Sequence, residues 1–225
     1  MTLEELYDRA VVVATMRQAK FTAQIGDNIW WVDPQNSVAR LYTRDRKPVS
    51  EPMPIRILGT EGEGEWLWAW GNALNFPLPT SRAFSKQLCD HGLRLGAAEF
   101  SEDRLATDEV VCARTFATIA CAMPQTAGYV LHRAGPLTAA FVVGEPFVTP
   151  DDLDFVAIGT AISNVLAGTP VASPHDVIVG TFATLGISHQ VAGELVVAHD
   201  GRGGSITIGI ENGRFRCDIE KPAAN

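Results

Sequence analysis

The sequence predicts an α+β fold in which antiparallel meander sheets pack against four to five helices. Three observations carry that reading. Apolar side chains recur at helical spacing up to residue 20, then from Phe21 at a spacing of two in short β-branched or aromatic runs. Helical spacing returns from Pro79 onward, each time behind capping chemistry. Alternating runs close the chain, two of them joined by Asn212-Gly213, a pair that tolerates the positive φ of a type I′ hairpin turn.

Taken in order, Thr2 stands three residues before Glu5 in a capping-box pattern, and Leu3, Leu6, Tyr7, Ala10 and Val13 share one helical face through Lys20. FTAQI, IWWV, SVARLY, MPIRILG and EWLWAWG follow, separated by GDN, DPQN, a polar stretch and TEGEGE. They read as a meander of four or five strands. Pro79-Thr80-Ser81 opens a helix over SRAFSKQLCDHGLRLG that Gly96 stops, and Thr107-Asp108-Glu109 should cap another over VVCARTFATIACAM. GYVLHRAGPLTAAFVVGE predicts a hairpin turning at Ala134-Gly135-Pro136. Thr149-Pro150-Asp151-Asp152 and Ser173-Pro174-His175-Asp176 put proline at the first helical position, starting LDFVAIGTAISNVLAG and VIVGTFATLG. ELVVA, SITIGIE and RFRCDIE are the closing strands, and the tail KPAAN should fray.

The chain reads as a single domain over residues 1–225, or as pseudo-related halves 1–125 and 126–225 meeting at the hairpin 128–143. A helix, a strand, an Asp-containing turn and a strand recur near both ends, which fits an ancestral duplication or the common grammar of α+β proteins.

A net charge of −8 opposes nucleic-acid binding, because phosphates need Lys and Arg to displace their counterions. Arg44, Arg46 and Lys47 sit together in a Pro-bounded polar stretch, expected to be a solvated loop. The N-terminus lacks signal-peptide organisation and no apolar run is long enough for a membrane span, so a soluble cytoplasmic protein is expected. Cysteines 89, 112, 121 and 217 form no CxxC pair and read as reduced thiols. On one helix, Cys112 and Cys121 would face opposite ways.

The most distinctive stretch is GEWLWAWGN. In a strand its Trp66, Trp68 and Trp70 would line one face about 7 Å apart, either sealing a core under a helix or flooring a pocket. Trp30 and Trp31 would send one indole to each face of a neighbouring strand, and Asn72 is a natural turn residue. The run Trp66, Trp68, Ala69, Trp70 and Asn72, with Pro77 and with Gly128-Tyr129 further on, resembles a bacterial family of unknown function that has a W-x-W-A-W-x-N strand. The resemblance implies an α+β fold and brings no catalytic residue with it.

Chemical motifs are sparse. Histidines 91, 132, 175, 189 and 199 lack metal-ligand spacing, so neither metal nor cofactor is expected. Glu61, Glu63 and Glu65 read as a solvated turn, and Cys89 and His91 diverge on a helix. His132, beside Arg133 in an apolar strand, is the histidine expected to titrate abnormally. The loop 199–205 (HDGRGGS) lacks the GK[ST] and the following helix that a phosphate loop needs. The leading expectation is therefore a non-enzymatic protein that binds a partner or small apolar ligand near Trp30, Trp31, Trp66, Trp68, Trp70 and Asn72. One alternative is an enzyme whose site assembles around His132, Arg133 and the loop 199–205. Another is a structural module that forms a homodimer through strand pairing.

Overall fold

The computed structural model describes residues 1–148, 151, 154–211 and 214–220. The expected Asn212-Gly213 turn, the helix start at Thr149, Pro150 and Asp152, and the tail 221–225 lie outside the described residues.

Helix α1 (Leu3–Ile25) begins at the predicted capping box: Thr2 Oγ1 accepts the Glu5 N–H, and Glu5 accepts the Thr2 N–H. It runs through FTAQI, which the sequence reading assigned to a strand. The reason is packing: Phe21 lies seven residues beyond Ala14, on the same side of the helix, and is fully buried. No breaker intervenes before Gly26, whose φ of 56° ends the helix.

Strands β1 (Ile29–Asp33), β2 (Val38–Tyr42), β3 (Met53–Gly62) and β4 (Glu65–Trp68) form the predicted antiparallel meander. The β3–β4 turn places Glu63 and Gly64 at φ 55° and 80°, the two positive values of a tight hairpin. β4 stops at Trp68, and residues Ala69–Gly71 form a 3₁₀ turn, so the tryptophan strand is shorter than predicted. There the Trp70 N–H turns to Ser85 Oγ (3.3 Å) on α2 (Pro79–Arg94). Gly96, φ 87°, follows α2 as its predicted stop. A short strand, β5 (Arg104–Ala106), pairs with β4; its RLA has too little alternation to be seen in the sequence.

Helix α3 (Ala113–Ala122) starts later than predicted, because Asp108 Oδ1 accepts the N–H groups of Val110 and Val111 in a preceding turn. Cys112 is thus the cap, outside the helix that Cys121 occupies. The hairpin β6 (Gly128–Ala134) and β7 (Leu137–Val143) forms as predicted and adds to the first sheet through β7–β3 pairing. That sheet has seven strands. After it come α4 (Phe155–Gly168), α5 (Pro174–Thr184) and a four-stranded antiparallel meander, β8 (His189–Ala192), β9 (Leu195–His199), β10 (Ser205–Glu211) and β11 (Arg214–Glu220). β8 was not predicted: HQVA is half polar and its residues are mostly exposed.

Helix α1 contributes to three cores. Leu3, Leu6 and Ala10 pack with α2, α3 and one face of the first sheet, where Leu58, Trp66, Trp68 and Val142 point. Val11 and Val12 pack with α4, α5 and the inner residues of the second sheet, Val196, Ala198, Ile206 and Ile208. Phe21 joins the opposite face of the first sheet, with Ile55, Ile57, Phe141 and Trp30.

The α1–α5 crossing is close because Gly180 of α5 has no side chain: a Cβ there would lie 2.3 Å from Arg9 Cα. Beside it, buried Asp8 accepts the Ser173 N–H (2.7 Å), Ser173 Oγ accepts the Asp176 N–H, and Asp176 pairs with Arg9 at 3.2 Å. Burial raises the Asp8 pKa above its ordinary 3.8, partly offset by the N–H groups of Ser173 and Ala172.

Gly180→Ala should destabilise the fold by about 1–3 kcal/mol through overpacking, despite alanine's better helix propensity. Gly168→Ala, where a Cβ meets open space, should be neutral or stabilising. Urea midpoints of the two variants check this contrast. Asp8→Ala should cost about 1–3 kcal/mol because backbone donors lose their acceptor, whereas Asp8→Asn keeps one. The carboxyl's folded pKa is raised, so its contribution to stability is greatest below the unfolded pKa and falls as pH rises through the folded value. Urea titrations of wild type and Asp8→Asn from pH 3 to 7 should show that slope only in wild type.

Candidate functional site

Trp66 and Trp68 are fully buried and have no face open to a ligand. Trp68 lies 4.5 Å from Phe116, 5.2 Å from Trp66 and 5.4 Å from Phe100 between ring centroids. The Trp66–Trp68 pair is edge-to-face, an arrangement favoured by the ring quadrupole. Trp70 leaves the stripe, donates Nε1–H to Cys89 Sγ (2.7 Å) and lies under Lys86 Nζ (5.3 Å to the ring). Trp30 packs on Phe21 and Phe141, while Trp31, on the other face of β1, is 50% exposed. Buried Asn72 accepts the Asn75 N–H through Oδ1, the local turn role expected of it.

The residues of the enzyme alternative are dispersed. His132 and Arg133 sit opposite Ala139 and Thr138 in the first sheet. In the second, Asp200 Oδ1 ties down its own loop by accepting the N–H groups of Arg202 and Gly204. Of the acidic run, Glu61 accepts the Ala113 N–H at 2.6 Å and so caps α3, and Glu65 pairs with Arg104 at 3.0 Å. Arg44 of the basic loop pairs with Asp27. Among the described residues, no group of three or more His, Cys, Asp or Glu side chains is placed to hold a metal, and no helix is long and apolar enough to cross a membrane. All four cysteines are free, and burial pushes the thiols of Cys89 and Cys121 up to about 12.

A concavity lies elsewhere, over α1. It is an open cleft of about 920 Å³ between α2 and α3 on one side and α5 on the other. Leu6 and Ala10 of α1, Ile119 and Ala122 of α3, and Ala183 of α5 give it an apolar lining. Polar groups enter from three directions. Arg9 and Arg17 come from α1, Asp151 from the segment before α4, and Gln87, His91 and Arg94 from α2 at spacings of four and three that share one helical face.

Arg17 is the most constrained of these. Its Nε and Nη2 donate to the two oxygens of Asp151 at 2.9 and 2.6 Å, and its Nη1 donates to the Cys121 and Met123 carbonyls at 2.9 and 2.7 Å. Burial works against its charge, but the hydrogen bonds and charge of Asp151 outweigh that and leave its pKa raised. A fork-to-fork pair and the carbonyls at the end of α3 are thus held by one side chain. Arg9 is offset by Asp176, whereas Arg94 has no carboxylate within ion-pair distance among the described residues. His91 has its pKa lowered by burial and by the Arg94 charge. Thr126 also lines the cleft; it is 3% exposed and its hydroxyl has no hydrogen-bond partner among the described residues.

Sequence reading missed this site because its walls come from separate elements. One signal was present. Arg17 falls on the stripe of Ala10, Val13, Ala14 and Phe21, at +7, +4, +3 and −4, and a cation on an apolar stripe requires a buried partner.

Exposed Trp31 should supply most of the acrylamide-quenchable tryptophan emission. Trp31→Phe should remove that component and leave a blue-shifted, protected remainder, measured by Stern–Volmer quenching.

A family model described as a family of unknown function (DUF6882) matches residues 4–146, and the chain belongs to that family. The match spans α1 through the seven-stranded sheet and ends just past β7. No curated protein and no solved structure matches the chain.

Proposed function

We propose that this DUF6882 member is a non-enzymatic protein that binds a small amphipathic molecule in the cleft over α1. The cleft carries the reading: about 920 Å³, within the range of small-ligand sites, with an apolar lining and a few converging polar groups. None of His132, Arg133 and the loop 199–205, the residues of the enzyme alternative, lines this cleft. The ligand site is accordingly moved away from the tryptophan strand, whose central indoles are sealed in a core. A cytoplasmic setting belongs to the same proposal and is supported by four unpaired thiols.

The test uses Nile red, a neutral apolar dye, and Ala183→Trp, a substitution at an exposed position of the cleft wall. Wild type should give saturable, one-site fluorescence enhancement. Ala183→Trp should lower it at least tenfold without lowering the melting temperature. Absence of saturable binding, or unchanged binding by the variant, would overturn the proposal.

A further inference from the structure

Resting on the binding function of the cleft, we infer that its ligand is a carboxylate with an apolar body, whose head lies against Gln87, His91 and Arg94. The chain is strongly acidic overall, at −8, yet the cleft lining holds three guanidinium groups, of Arg9, Arg17 and Arg94, and one carboxylate, Asp151. Two of the three are already neutralised: Arg17 by Asp151 and Arg9 by Asp176. Arg94 is left as the uncompensated cation, in the last turn of α2.

Gln87 and His91 lie two turns and one turn before Arg94 on the same helical face, so the helix presents an amide, an imidazole and a guanidinium in a row toward the cleft. Among the described residues none of the three side chains has a hydrogen-bond partner. A guanidinium offers two parallel N–H donors that match the two oxygens of a carboxylate, and the flanking amide adds another donor. On the rest of the lining, Leu6, Ile119 and Ala122 offer hydrocarbon and no charge. Thr126 is a second, independent pointer: a buried hydroxyl on the lining without a partner is costly unless something supplies one. An apolar chain with one planar anionic end fits both parts of the surface, because the head meets donors and the body meets alkyl groups. Asp151, held by Arg17, confines the anion to the α2 side of the cleft.

Isothermal titration with decanoate and with its neutral isostere decanamide tests the assignment in the full-length protein. Decanoate should bind at least tenfold more tightly. Arg94→Gln should weaken decanoate about tenfold or more and leave decanamide unchanged, while Arg133→Gln, far from the cleft, should alter neither. Melting curves of both variants, whose substitutions are exposed, should match wild type. Equal binding of acid and amide, or an Arg94→Gln protein that binds decanoate like wild type, would overturn the anion assignment and leave the cleft as a neutral-ligand site. Binding of neither compound, together with no Nile red site, would remove the binding function itself.

Discussion

The fold depends on the enclosure of one helix. Residues Ala10, Val11, Val12, Val13 and Ala14 are consecutive and all buried, and at about 100° per residue five positions pass around the whole helix circumference. A helix apolar all round must be surrounded. Here α2, α3 and the first sheet cover one flank, α4 and α5 with the second sheet cover another, and Phe21 is received by the far face of the first sheet. The small side chains of the run and the missing side chain at Gly180 let the neighbours close on α1 at helix-backbone distance. The cleft exists because that closure is incomplete where α2 and α5 do not meet over Leu6 and Ala10.

Buried charge is confined to the seams of this arrangement. Asp8 and Arg17 stand on α1 where the apolar pattern would allow hydrocarbon, and each is satisfied by groups distant in sequence: Asp8 by the backbone before α5, Arg17 by Asp151 and the end of α3. Breaking one member would strand the other in a poorly solvated place. These groups therefore specify which helix ends meet α1, a role that hydrophobic contacts, being non-directional, cannot fill.

Much of the fold could be read from the sequence, and the site could not. Capping box, the proline starts of α2 and α5, the β3–β4 turn and the β6–β7 hairpin are local events with local chemistry, so they announce themselves. Two of the errors share a cause. FTAQI has strand-like composition but continues a helical stripe, and Trp70 leaves its strand to reach α2; in both a contact with a remote element overrode local preference. The third is local: Asp108 holds a turn with Val110 and Val111 where a helix cap was expected. The tryptophan motif had the opposite character: its two-residue spacing correctly put Trp66 and Trp68 on one face, and that face proved to be a core of closely packed rings beneath α3. The row Gln87, His91 and Arg94 was visible as helical spacing, but only the arrival of α1 and α5 gives it something to face.

The Arg9–Asp176 and Asp8–Ser173 links span 167 and 165 positions of chain. During synthesis α1 therefore leaves the ribosome long before the segment that shields its second flank, and its Val11–Val12 surface waits uncovered while the seven-stranded sheet assembles. Vectorial folding of this chain passes through a stage with a greasy stripe open to other proteins.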